Sequence, residues 1–139
     1  MRPAGLIDTG ALLALLDEND AWHERCAKAF SSLRLPLATS AAVIAEFFHL
    51  LGPNAQDVDT AWGFLRSGAV QMLPITDEDM AELARLMKKY TDRPMDFADA
   101  TLVHLAKRES LLTIFTIDHN DFETYRIDGK RKFRIVPLR

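Results

Sequence analysis

Leu6-Ile7-Asp8-Thr9-Gly10-Ala11-Leu12-Leu13-Ala14-Leu15-Leu16 decides how this chain is to be read. Leu6-Ile7 is a short apolar run that stops at an acid. From Thr9-Gly10 onward, leucines recur at helical spacing until Asp17-Glu18-Asn19. An apolar strand, an acid and then an apolar helix is the opening of an α/β unit in which both elements face a core. Outward from it the alternation repeats. Asp20 caps a helix carrying Trp22, Cys26, Ala29, Phe30 and Leu33, and a short strand follows over 35–38. Ser40 caps a helix that ends at Gly52-Pro53, and 54–67 forms another, stopped by Gly68. A strand over 70–75 leads to Thr76-Asp77-Glu78-Asp79, a capping box with acids in the first turn of a helix to about Tyr90. Asp96 opens a further helix, 112–117 is a β-branched strand ending at Asp118, and 133–136 closes the sheet. The pattern predicts one domain over residues 1–139, an α/β three-layer sandwich with a mostly parallel central sheet flanked by helices.

Composition narrows the function classes. A chain of 139 residues with 48% hydrophobic and 27% charged content can bury a core without staples. Its one cysteine, Cys26, excludes an intramolecular disulfide and a cysteine-built zinc site. No apolar run reaches the length of a membrane span, and the apolar stretch at the start is too short for a signal peptide, so a cytoplasmic location is expected. The net charge of −3 is unevenly spread: residues 126–139 hold six basic side chains and one acid, while the other 125 residues carry −8. Such a tail either steers a phosphate backbone or simply discourages pairing at the edge of the sheet.

The acids carry the chemistry. Asp8 and Asp118 each stand where an apolar strand stops, the end of an α/β sheet at which ligands gather. Glu46 lies inside the apolar run Ala41-Ala-Val-Ile-Ala-Glu-Phe-Phe, where a lone acid needs a partner or a metal. Asp96 and Asp99, at i and i+3, share one face of a helix start that tolerates anions. Each also has an ordinary reading: Asp8, Asp96 and Asp118 suit helix caps, and Glu46 suits an ion pair that its own segment does not offer. Taken together, four acids each short of a partner are best satisfied by a shared hard divalent cation. Such a site suits phosphodiester hydrolysis. An aspartyl-phosphate enzyme would want a second acid two residues after its nucleophile, but Asp8 is followed by Thr9 and Gly10. A receiver domain would want adjacent acids after the first strand and a strand-end lysine, and has neither here.

These stretches resemble the motifs of PIN-domain nucleases, toxins of the VapC type among them. Leu6-Ile-Asp8-Thr-Gly is similar to the family's opening, Ser40-Ala-Ala-Val-Ile-Ala-Glu46 to its second motif, Met95-Asp-Phe-Ala-Asp99-Ala-Thr-Leu-Val-His-Leu-Ala to its third, and Thr116-Ile-Asp118-His-Asn-Asp121-Phe to its fourth. They occur in family order across residues 6–122. The resemblance implies a PIN fold and an endoribonuclease dependent on Mg2+ or Mn2+, with Asp8, Glu46, Asp99 and Asp118 as its acidic quartet. It further implies Asp96 as an accessory acid at the metal, Asp121 as another near it, and Thr9 and Thr116 as supporting hydroxyls. A VapC-like toxin would act on RNA, be held by a cognate antitoxin and form a homodimer. The alternatives are an inactive PIN-like module that binds RNA or protein, and a PIN nuclease of RNA processing without an antitoxin. Apolar side chains at Trp22, Phe30, Phe47, Phe48 and Trp62 are read as core or as a partner face. His119 is read as a surface turn residue beside Asp118.

Overall fold

The computed structural model describes residues 1–139. Its centre is a five-stranded sheet, all parallel, in the order β3 (Val70–Met72), β2 (Leu37–Thr39), β1 (Leu6–Ile7), β4 (Thr113–Phe115), β7 (Arg134–Val136). From β1 the chain moves outward through β2 and β3, then returns to place β4 on the other side of β1. The strand order therefore reverses between β1 and β4, and the crevice beyond their carboxyl ends is where an open sheet of this kind binds ligands.

Parallel strands need crossovers, and the apolar helical runs supply them: α1 (Thr9–Leu16), α2 (His23–Ser31), α3 (Ala41–Leu51), α4 (Ala55–Leu65), α5 (Met80–Lys89), α6 (Phe97–Glu109) and the short α7 (His119–Thr124). Leu6, Ile7, Leu12, Leu37, Leu102, Leu105, Ile114 and Phe115 are fully buried between sheet and helices. Two caps fall where the sequence sets them: Ser40 Oγ accepts from Val43 N–H at 3.2 Å, and Asp96 from Asp99 N–H at 2.8 Å; Asn54, expected as the first residue of its helix, instead caps it, accepting from Asp57 N–H at 3.1 Å. The Thr76/Asp79 capping box also forms, around a single 3-10 turn that precedes α5.

Several elements differ in extent from expectation. The strand expected over 70–75 ends at Met72, because Pro74 cannot donate to the ladder. Asp20 accepts from Trp22 N–H, so it fixes the turn before α2 rather than capping the helix itself. A second, two-stranded antiparallel ribbon of β5 (Arg126–Ile127) and β6 (Arg131–Lys132) was not expected. Its turn puts Asp128 and Gly129 at φ of 49° and 77°. Of the apolar side chains read as core or partner face, Phe47 is buried and Phe30 packs edge-on to Phe115, whereas Trp62 stays about half exposed beside Phe48. No helix is long and apolar enough to cross a membrane.

Three of the tail's six basic residues, Arg126, Arg131 and Arg139, are engaged within the fold. The Arg126 guanidinium donates to the carbonyls of Glu123, Thr124 and Tyr125. Arg131 pairs with Asp128 at 3.1 Å, and Arg139 pairs with Glu123 at 3.0 Å. Arg134 lies exposed on β7, an edge strand of the sheet. Lys130 and Lys132 are exposed as well.

Candidate active site

Seven of the eight residues singled out as candidates line one cavity of about 480 Å3: Asp8, Thr9, Glu46, Asp96, Asp99, Asp118 and Asp121. The eighth, Thr116, stands behind it and donates to Asp8. The cavity opens at the strand-order reversal, so the sheet delivers Asp8 from the end of β1 and Asp118 from just beyond β4. Helix α3 brings Glu46, and the start of α6 brings Asp96 and Asp99. A larger groove of about 610 Å3 lies elsewhere, lined chiefly by apolar side chains such as Leu73, Ile75, Met80 and Phe97. Its one acid, Asp77, gives it none of the convergent chemistry of the smaller cavity.

Asp8 is almost fully buried and is held at both oxygens. Its Oδ1 accepts from Thr9 N–H at 2.7 Å, capping α1, and its Oδ2 accepts from the Thr116 hydroxyl at 3.0 Å. The same side chain thus caps α1 and lines the cavity. The Thr116 oxygen also receives Asp118 N–H at 3.0 Å, linking the two strand ends. Thr9 reaches the other way and donates to Glu46 Oε1 at 2.6 Å. That hydroxyl is the partner the apolar run around Glu46 lacked. Asp118 in turn caps α7, accepting from Asp121 N–H at 3.2 Å.

Gly10 lets these pieces approach one another. A Cβ at this position would stand 2.9 Å from Ile117 Cγ1, closer than real Cβ contacts come. With glycine here, the Ile117 side chain packs directly against the first turn of α1.

Uncompensated negative charge dominates the electrostatics. Burial pushes the Asp8 carboxyl up to about 6; the Glu46 and Asp118 charges add to this, and its two hydrogen bonds oppose it. Burial, followed by the charges of Asp8 and Asp96, pushes Asp99 up to about 8 even though the Tyr125 hydroxyl donates to Asp99 Oδ2 at 2.9 Å. Asp121 is also raised, first by burial and then by Asp118, with Arg93 as the opposing charge. Groups in this state accept a counter-charge readily.

The donor set is oxygen only, with no histidine or cysteine lining the cavity, and this is the chemistry of a hard divalent cation. No three of the acids converge tightly enough to form a ready-made coordination shell. The fit lies in the kind of donors and in their unmet charge.

Two neighbours were not singled out from the sequence. Tyr125 is fully buried and aims its hydroxyl at Asp99; the one available signal was that a buried tyrosine needs a hydrogen-bond partner. Arg93 sits at the rim, in a loop with no periodicity to point inward. The reading of His119 as a surface turn residue is overturned. Its ring is buried between the carbonyls of Ile117 and Pro137, at 3.1 and 2.7 Å, and lies against Trp22. It ties the C-terminal segment to the β4–α7 connection and does not line the cavity.

The family model of the PIN domain matches residues 5–129 of the chain. Ribonuclease VapC26 of Mycobacterium tuberculosis is 32% identical over 135 residues, which is 95% of this chain and 99% of that protein. Among solved structures, the chain resembles VapC20 of Mycobacterium tuberculosis, a sarcin-ricin loop cleaving toxin, with a TM-score of 0.74 at 20% identity over 83% of this chain and 90% of that one. FitAcB from Neisseria gonorrhoeae matches with a TM-score of 0.63 at 25% identity, over 84% of this chain and 89% of that one. At 20% identity, the VapC20 likeness speaks to the fold.

Proposed function

Because the chain belongs to the PIN-domain family, with a VapC ribonuclease as a relative along nearly its whole length, we propose that it is an endoribonuclease that hydrolyses RNA phosphodiester bonds with Mg2+ or Mn2+, and that it is the toxin of a toxin-antitoxin pair. The observation that carries the catalytic reading is the convergence of Asp8, Glu46, Asp96, Asp99, Asp118 and Asp121 on one cavity at the strand-order reversal. Asp8, Glu46, Asp99 and Asp118 are the residues that would hold the cation, with Asp96 beside them. When bound, such a cation would stabilise the negative charge that builds on the phosphoryl and leaving-group oxygens and would make the attacking water more acidic.

The remaining work falls to this chain's own groups. Thr116 and the Thr9 N–H hold Asp8 in a single orientation, and the Thr9 hydroxyl holds Glu46. Tyr125 steadies one oxygen of Asp99. Buried among like charges, Asp8 and Asp99 keep protons up to about pH 6 and 8, and they release them when a counter-charge arrives.

The toxin reading is supported by the VapC relatives and by the likeness to FitAcB. It carries with it a cognate antitoxin, a homodimer and a cytoplasmic place of action, to which the lone, unpaired Cys26 is suited. The test is cleavage of total RNA by purified protein with Mn2+ or Mg2+. Wild type is expected to cut, chelation to stop it, and Asp99→Asn to lower the rate at least a hundredfold. RNA left intact by wild type, or cut equally by Asp99→Asn, would sink the proposal.

A further inference from the structure

An RNA strand must approach a cavity ringed by six carboxylates. Among the charges that act most strongly on Asp8, Asp99 and Asp121, only Arg93 is positive. It precedes Pro94, which lines the cavity. Its Nη1 donates to the Asn120 carbonyl at 2.9 Å and to the Thr124 hydroxyl, so two hydrogen bonds fix the guanidinium on α7. The Nε stands 4.0 Å from Asp121 Oδ1, too far for a hydrogen bond. The Nε and Nη2 edge is therefore without a hydrogen-bond partner while lying beside a cavity-lining acid, and the side chain is about half exposed.

Nearby arginines differ. Arg126 is turned onto the carbonyls that end α7, and Arg139 is neutralised by Glu123 through two contacts. Arg93 is the pre-positioned cation at this rim: its Nε stands in ion-pair range of Asp121, but its Nε and Nη2 make no hydrogen bond, leaving the fork that takes a phosphate through two parallel hydrogen bonds. Because the protein already holds it in place, little further ordering is needed on binding.

We propose that Arg93 binds a backbone phosphate of the RNA next to the scissile one, holding the strand across the acidic cavity. This rests on the ribonuclease reading above and adds to it the residue that binds the strand. The competing role, a clamp between the 91–95 loop and α7, predicts different behaviour under salt. A phosphate contact by one cation steepens the salt dependence of single-strand binding by roughly 0.7 in log–log slope, whereas a clamp leaves the slope alone.

The experiment is steady-state cleavage of a fluorescent single-stranded RNA with Mn2+ across a KCl series, for wild type, Arg93→Gln and Arg93→Lys. Arg93→Gln removes both the charge and the fork, whereas Arg93→Lys keeps the charge alone. Arg93→Gln is expected to raise KM roughly tenfold, keep kcat within about twofold, and flatten the dependence of log KM on log salt by roughly 0.7. Arg93→Lys is expected to keep the wild-type slope with a smaller rise in KM. An active wild type whose KM and slope are unchanged in Arg93→Gln would overturn the proposal. So would a variant that loses kcat and melting temperature together at an unchanged slope. A wild type that cuts no RNA would remove the ribonuclease reading itself, a result separate from either.

Discussion

At the scale of single residues, the acidic site was legible because each acid broke a local rule. Asp8 and Asp118 ended apolar strands, Glu46 interrupted an apolar helix, and Asp99 sat between alanines in a buried one. What satisfies them was not legible: Thr9 meets Glu46 across 37 positions, Thr116 meets Asp8 across 108, and Tyr125 meets Asp99 across 26. No local pattern encodes those pairings. Their consequence is measurable in the metal-free protein. A carboxyl whose folded pKa lies above its unfolded value binds protons more tightly when folded. The stability it contributes is present below the unfolded value, near 4, and is lost as pH rises to the folded value. For Asp99 that window runs from about 4 to about 8. In chelator, the melting temperature of wild type is therefore expected to fall between pH 5 and pH 8. Asp99→Asn, which has no proton to lose, is expected to show a flatter profile and to exceed wild type at pH 8 by about 1–3 kcal/mol, after discounting for partial exposure. A lower stability for Asp99→Asn at pH 8, measured by denaturant unfolding, would refute the account of a charge buried at a cost.

At the scale of elements, the order of strands and helices could be read but the ends of the strands could not. Every strand here has two or three residues, and an apolar run continues past the point where its ladder partner stops. Thus 112–117 is apolar or β-branched throughout, yet only Thr113–Phe115 pair with β1 and β7. The β5–β6 ribbon was missed although Asp128-Gly129 is a strong hairpin signal. Its flanks are basic and lack the apolar alternation that marks strands. Gly10 shows how one element boundary serves the site, since a Cβ there would press on the Ile117 side chain. Gly10→Ala is expected to destabilise the fold by about 1–3 kcal/mol through overpacking and to lower cleavage activity by displacing Asp118. Adding Ile117→Ala should return most of that activity, so that the double variant is less damaged than the sum of the singles. Strict additivity in the unfolding and rate measurements would show that the close approach is unimportant.

At the scale of the whole molecule, charge has two separate effects that a single experiment can divide. A body carrying −8 outside its tail repels itself, and any salt relieves part of that strain by screening. The six-carboxylate cavity is different, because a divalent cation bound there stabilises only the folded state. Linkage sets the size: at a concentration one hundred times its Kd, a ligand of the native state adds about 2.7 kcal/mol. For a chain of this length that corresponds to a rise of roughly 5–10 °C in melting temperature. Wild type is therefore expected to rise by that amount in saturating Mn2+ or Mg2+ relative to NaCl of equal ionic strength. Asp8→Asn keeps the body charge within one unit but removes the best-buried carboxylate of the cavity, so it should respond to both salts alike. If wild type and Asp8→Asn rise equally in divalent salt, the stabilisation is general screening of an acidic surface. If only wild type rises, the cation is held at the cavity where β1 and β4 end.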